Sequence, residues 1–424
     1  MKKKFLYYSS LLLLFTSGCY KDVPVDVIID PQGAAQGDVV GKVTVGYQGW
    51  FSALGDSSPF NQWYHGNLEM WPDTREYQNL YTGTYFGQDG VQVGPFYGNL
   101  GNGQPAKMFS SYDQSTLNLH FKWMQQYGID CAALQRFGNE IAPGEVLKAQ
   151  RDGVALRLKN AAETYGRKFY INYDLSGTTD LAAIKADWTN TIVGQLKLTA
   201  SNAYARQNGK IVVSIYGLGY ARHTTSPADA LDLVNWFKAR GCYVIGSCPG
   251  QWRTGTGDSR GDFLNVYKAF NMISAWPVGR AVDASYAPWV EGDRDFCKAN
   301  GIDYQPCAYP GTAYSNSNGQ NVSPRNEFAR KHGDFMWSQF AAFKKAGVPS
   351  VYVAMFDELN EATSIFKVAE DASMAPAGKY FLNLDADGVH VSSDFYLRLT
   401  NDGVKMIKGQ IPYTEHEPTP FTVN

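Results

Sequence analysis

The sequence predicts an α/β fold: a single (β/α)8 TIM barrel with a long insertion after strand 1 and an irregular C-terminal tail. Three observations predict it. Eight short runs are rich in β-branched and aromatic residues, segments of helical period separate them, and polar and aromatic residues gather at the C-terminal ends of the runs. The 424 residues suffice for one elaborated barrel, and 44% apolar with 18% charged residues marks a folded chain rather than a disordered one.

The first strand is read at 42–51, where Val43, Val45, Tyr47, Trp50 and Phe51 supply β-formers. About sixty residues rich in Gly, Asn, Tyr and Trp separate it from the helical segment 114–127. In barrels, insertions after strands lie on the face where active sites are built, so this one is expected to form a wall of a cleft. Strand 129–137 and helix 144–165 follow, then strand 168–175 and helix 180–198. Strand 210–218 precedes helix 227–240. Strand 242–248, helix 262–270, strands 281–289 and 303–309, helix 324–346 and strand 350–357 complete the barrel. Beyond residue 367 the pattern is less regular.

The N-terminus carries Lys2, Lys3 and Lys4, an apolar run over 5–15, and Thr16-Ser17-Gly18 before Cys19. The run is too short to span a bilayer and is similar to a bacterial lipoprotein signal: 1–18 removed, Cys19 lipid-modified and membrane-tethered, 19–41 a flexible tether, and 42–424 the folded domain. That reading places the protein at the bacterial cell envelope, on the periplasmic side or the outer-membrane surface. The remaining cysteines, 131, 242, 248, 297 and 307, are odd in number and lack CxxC spacing, so no disulfide framework is indicated, although a Cys242–Cys248 pair stays open.

In a barrel the C-terminal strand ends converge on one cleft. Here they carry Tyr47 and Trp50, Arg136, Asp174, Tyr216, Trp252 and Arg253, Tyr286 and Trp289, Tyr314, and Asp357-Glu358-Leu359-Asn360-Glu361. The aromatics are candidates to stack on sugar rings, with Arg136 and Asp174 binding hydroxyls. Glycosyl transfer commonly needs two carboxyl groups, one protonated and one ionised, about 5–9.5 Å apart. Glu358 and Glu361, three residues apart where a strand gives way to a loop, are the candidate pair on one side of the chain, the other reading being a capping box or solvated acidic turn; crowding with Asp357 would raise a pKa toward that of a general acid.

The ordered set Val45-Gly46-Tyr47-Gln48-Gly49-Trp50-Phe51, Leu134-Gln135-Arg136-Phe137, Tyr173-Asp174-Leu175-Ser176-Gly177, Gln251-Trp252-Arg253-Thr254, Ala287-Pro288-Trp289 and Phe356-Asp357-Glu358-Leu359-Asn360-Glu361 resembles the glycoside hydrolase family 71/99-like bacterial lipoproteins, relatives of family 99 endo-α-mannosidases. The resemblance spans about 42–367 and the tail around 381–399. It implies retaining, endo-acting hydrolysis of α-mannan or a related α-glucan. Glu358 would be the base that draws the proton from the sugar 2-hydroxyl, and Glu361 the general acid/base. The chain departs from the family pattern at Leu359 and Asn360, where Trp and His are typical, and at Ala362, where Gly is usual.

Other chemistries find little support. A net charge of −2 gives no basic field for nucleic acid. There is no HExxH, P-loop or G-x-S-x-G, and the six His are scattered. The stretch 383–394 imitates a calcium loop, but position twelve is Asp394 rather than Glu and Ala-Asp-Gly also makes a hairpin turn, so no metal and no cofactor are assigned. The expected partner is an oligo- or polysaccharide, and the expected state a monomer. The alternative is a non-catalytic glycan-binding surface lipoprotein; a structural or adhesive surface protein is a third reading.

Overall fold

The computed structural model describes residues 37–64, 66–87, 89–317 and 325–423. Cys19, the leader and residues 19–36 of the expected tether lie outside them. Among the described residues, eight parallel strand positions form the barrel: β1 (Val43–Tyr47), β2 (Cys131–Phe137), β3 (Lys168–Asp174), β4 (Lys210–Tyr216), β5 (Cys242–Cys248), β6 (Met272–Ala275), β7 in two pieces (Asp303–Tyr304 and Cys307–Ala308) and β8 (Val351–Val353). β7 closes the ring. Its first piece pairs with β6 (Ile273 opposite Tyr304) and its second with β8 (Ala308 opposite Val353). The change of partner falls at Gln305-Pro306, where proline has no N–H to donate: the Gln305 N–H still reaches Ile273, and the Pro306 carbonyl accepts from Tyr352 at 2.9 Å. β8 pairs in turn with β1.

Strands covered on both faces read as continuous apolar runs, and all five residues of β1 are buried. Gly46 allows the barrel interior to close: a Cβ there would collide with the Met355 sulfur and the Tyr352 phenol. The outer ring contains α1 (Gln114–Gln126), α2 (Val146–Tyr165), α3 (Leu181–Ala186) running into a π-helical stretch at Asp187–Gln195, α4 (Pro227–Ala239), α5 (Leu264–Tyr267), α6 (Tyr286–Ala299), α7 (Asp334–Lys345) and α8 (Phe395–Ile407). The Ser226 hydroxyl caps α4 by accepting from Asp229 N–H at 3.1 Å, and Gly166 ends α2 in the left-handed conformation.

Three expectations need correction, and two further stretches gain detail. The sixth strand is Met272–Ala275, and the stretch read as strand 281–289 runs instead into α6, whose buried Tyr286, Val290, Asp293 and Cys297 keep helical spacing with Pro288 in the first turn. The tail is not irregular throughout. It supplies α8, which packs on α7 where Gly403 lets the Phe340 ring approach, and which takes the outer position beside the start of the barrel: Asp394 accepts from Tyr127 at 2.9 Å. The stretch 383–394 is a 3-10 turn leading to that helix, with Asp394 paired to Arg398 and Asp387 accepting from His332 N–H. Residues 37–41 already belong to the barrel, since Val39 is buried and Asp38 N–H bonds the Arg206 carbonyl at 2.8 Å. Cysteines 131, 242, 248, 297 and 307 are buried free thiols, so 242 and 248 are not bridged.

Candidate active site

β8 ends at Val353, and the chain continues through Asp357, Glu358 and Glu361 across the C-terminal mouth of the barrel. Asp357 is fully buried. Its two oxygens accept the backbone N–H groups of Gln48 (2.7 Å) and Gly49 (3.0 Å), which ties the end of β8 to the end of β1. It therefore positions the site rather than facing it, and burial pushes its carboxyl up to about 7. The insertion grips the same turn from outside, because Glu69 and Met70 N–H both donate to the Leu359 carbonyl.

Glu358 and Glu361 line one cavity of 390 Å³. Glu358 accepts from the Gln48 side-chain amide at 2.5 Å on one oxygen and from Asn360 N–H at 3.1 Å on the other. Glu361 accepts from the Tyr314 hydroxyl at 3.4 Å. Burial raises both carboxyls, and the charge of Glu361 and then of Asp357 raises Glu358 further, while Tyr314 and the Arg222 guanidinium pull Glu361 back. Two like charges in a desolvated space resist ionising together, so the pair retains a proton toward neutral pH.

The same cavity collects Trp50, Asp174, Tyr216 and Tyr314. Asp174 accepts from Gln135 and from Ser176 N–H, both at 2.6 Å, and burial raises its carboxyl. Trp50 stacks on Phe137 with centroids 5.6 Å apart. It is also part of a second cavity, of 400 Å³, with Trp63, Tyr64, Gly66 and Asn360 from the turn between the two glutamates.

Other residues expected at the cleft lie elsewhere. Tyr47 is buried behind β1, its hydroxyl 2.7 Å from His120 Nδ1. Arg136 points out of the barrel, where it makes a bidentate pair with Asp187 (2.6 Å for both bonds) and reaches Asp152 at 2.8 Å. Strand alternation explains the swap: Gln135 faces inward and Arg136 outward. Trp252, Arg253, Tyr286 and Trp289 group around α6 rather than in this cavity. Buried Asp293 accepts from the Trp252 indole and from Arg253, both at 2.9 Å, Tyr286 is buried, and Trp289 donates to the Gly250 carbonyl at 2.9 Å.

Sequence reasoning missed several lining residues: Gln48, Gln135, Asn172, Tyr220, Arg222, Asp258 and Trp276. Gln48, Gln135 and Asn172 stand at strand ends already singled out, and strict alternation would have found them. Trp276 follows the sixth strand, whose short four-residue run gave no signal. Glu69 in the insertion was also missed. It accepts from the N–H groups of Asn316 and, at 2.7 Å, Ser317, fixing the loop that presents Tyr314.

No protein-family profile matches the sequence, and no curated protein matches it. Solved structures do. The GH99 endo-alpha-mannosidase from Bacteroides thetaiotaomicron matches with a TM-score of 0.60 over 88% of this chain and 98% of its own, at 14% identity. Its complex with Bis-Tris propane gives 0.61 at 13% identity over the same shares. A glycoside hydrolase-like protein gives 0.51 at 14% identity, over 87% and 94%. The protein therefore has the barrel fold of these proteins.

Proposed function

From a barrel that brings two buried glutamates to one polar, aromatic-lined cavity, we propose that the protein is a glycoside hydrolase that cleaves α-linked glycans, endo-acting on α-mannan or a related α-glucan with retention. The observation that carries this reading is the placement of Glu358 and Glu361 in the same cavity, with both carboxyls raised by burial. The similarity in fold to an endo-alpha-mannosidase supports the substrate class.

Glu358 acts as the acceptor; that role needs the shared proton on Glu361, and the N–H donors on both Glu358 oxygens favour the ionised form against the burial and like charges that raise its carboxyl. Glu358 takes the proton of the sugar 2-hydroxyl as that oxygen bonds the anomeric carbon and the glycosidic C–O bond breaks. Glu361 has an oxygen to spare for the leaving group and donates its proton there, which leaves an anhydro sugar. A water entering the cavity then gives a proton to Glu361 and attacks the anomeric carbon, and Glu358 returns its proton to the 2-oxygen. Two displacements give retention. Trp50 and Tyr314 pack against the sugar, and Asp174 and Tyr216 bind hydroxyls. With 1–18 removed, the lipid on Cys19 tethers the enzyme to the cell envelope, which a Cys19→Ala variant would test by losing fatty-acid label.

The test uses protein lacking the first 19 residues, incubated with α-mannans and α-glucans, with products resolved by mass. Release of oligosaccharides by the wild type, lowered by about 10²–10⁴-fold in Glu361→Gln with binding retained, supports hydrolysis. Retention on a polysaccharide without products points instead to a glycan-binding lipoprotein.

A further inference from the structure

Of the eight large apolar side chains exposed among the described residues, four fall within residues 86–96: Phe86 (49%), Val91 (58%), Val93 (37%) and Phe96 (46%). They sit on or beside a hairpin of the insertion in which Tyr85–Phe86 pairs with Gln92–Val93. Scattered exposed apolar residues are ordinary, whereas a contiguous patch marks a binding surface. Tyr85 pairs with Val93 and Phe86 with Gln92, so strand alternation puts Tyr85, Val91 and Val93 on one face and Phe86 on the other; Phe96 stacks on Tyr85 with centroids 5.4 Å apart at 18°, so the first face presents flat rings beside two exposed valines.

The hairpin is continuous with the candidate active site. A Cβ on Gly83 would lie within 3.4 Å of both Phe96 and Trp63, so the missing side chain lets these two rings close over the backbone. Trp63 walls the second cavity, and Trp50 is shared between that cavity and the one holding Glu358 and Glu361. The aromatic track thus runs from the glutamates across Trp50 and Trp63 to Phe96 and Tyr85.

Resting on the glycosidase reading, we propose that this hairpin is an outer platform for the polysaccharide chain, holding sugar units several residues away from the bond being cleaved. The chemistry favours a neutral glycan over other occupants. Residues 83–96 contain no Lys or Arg and only Asp89 as a charged group, so the hairpin itself supplies none of the cations that anionic lipid or nucleic acid would need. A pyranose lays its C–H face on a flat ring while its equatorial hydroxyls stay in water, which buries apolar area without stripping polar groups.

The experiment compares the wild type with Val91→Ser/Val93→Ser/Phe96→Ser in two readouts. One is retention on α-mannan and α-glucan gels, with Glu361→Gln in both backgrounds; the other is kcat/KM against oligosaccharides of increasing length. These side chains are exposed, and an unchanged melting midpoint confirms folding; Phe96→Ser alone gives the same sign should the triple variant fail to fold. The expected result is about tenfold weaker retention and about tenfold lower kcat/KM on polymer, with the shortest cleaved oligosaccharide unaffected. Equal loss at every length, unchanged retention, or loss only of binding to anionic lipid vesicles overturns the platform. If the wild type cleaves nothing, retention lost with the hairpin still supports the platform while the hydrolase reading fails. No wild-type retention on any gel overturns the platform.

Discussion

Two strand-end segments of this barrel carry the same ingredients, acid and aromatic, with opposite results. After β5, Trp252 and Arg253 meet buried Asp293, and each donates a hydrogen bond to its carboxylate. After β8, Glu358 and Glu361 face a cavity with no cation within ion-pair distance among the described residues, and what they receive are an amide, a backbone N–H and a phenol. The first carboxylate is satisfied by the protein; the second pair keeps capacity for a ligand. Arg136 with Asp187 repeats the first case. Composition at a strand end thus marks candidates, and the partner each side chain finds decides between structure and chemistry.

The comparison breaks most visibly at the buried ion pair. Arg136→Met leaves Asp187 charged and uncompensated, and is expected to cost about 3–5 kcal/mol in chemical denaturation, most of it recovered in Arg136→Met/Asp187→Leu. Asp357→Ala leaves two buried N–H groups without acceptors, at about 1–3 kcal/mol each, and should also lower turnover by loosening the turn.

The pair at the cavity should be visible in the pH dependence of stability. Asp357, Glu358 and Glu361 have folded pKa values above their unfolded ones, so the folded state binds more protons, and stability falls as pH rises from about 5 through the folded values. Each titrating group contributes up to about 1.4 kcal/mol per pH unit. Glu361→Gln should flatten that slope in melting curves between pH 5 and 8; an unchanged slope would mean the glutamate is not desolvated.

The smallest expected effect is a gain. Ala362 has φ +54°, a left-handed conformation that costs a non-glycine residue about 1–2 kcal/mol, partly offset by the greater unfolded-state entropy of glycine. Ala362→Gly is expected to raise stability by up to about 1 kcal/mol.

Much of this was legible in the sequence because barrel strands are buried on both faces and so stand out as apolar runs. β1 to β5, β7 and β8 fall within the stretches read as strands, and the segment with Glu358 and Glu361 follows its strand as expected. Two things were hidden. β6 is four residues long and follows helix-like sequence, so the longer apolar stretch downstream was taken for it and carried Tyr286 and Trp289 with it. The contribution of the insertion was hidden too: Glu69 reaches Asn316 and Ser317 from nearly 250 positions away, a contact no local pattern encodes.

The most direct measurement separates the two glutamates by leaving group, using α-glycosides with natural alcohol leaving groups against activated aryl leaving groups that depart without protonation. Glu361→Gln should lose turnover on the natural substrate and keep bond cleavage with the activated one, whereas Glu358→Gln should lose both. Equal behaviour of the two variants on the two substrates would contradict the assignment of acid and base to these residues.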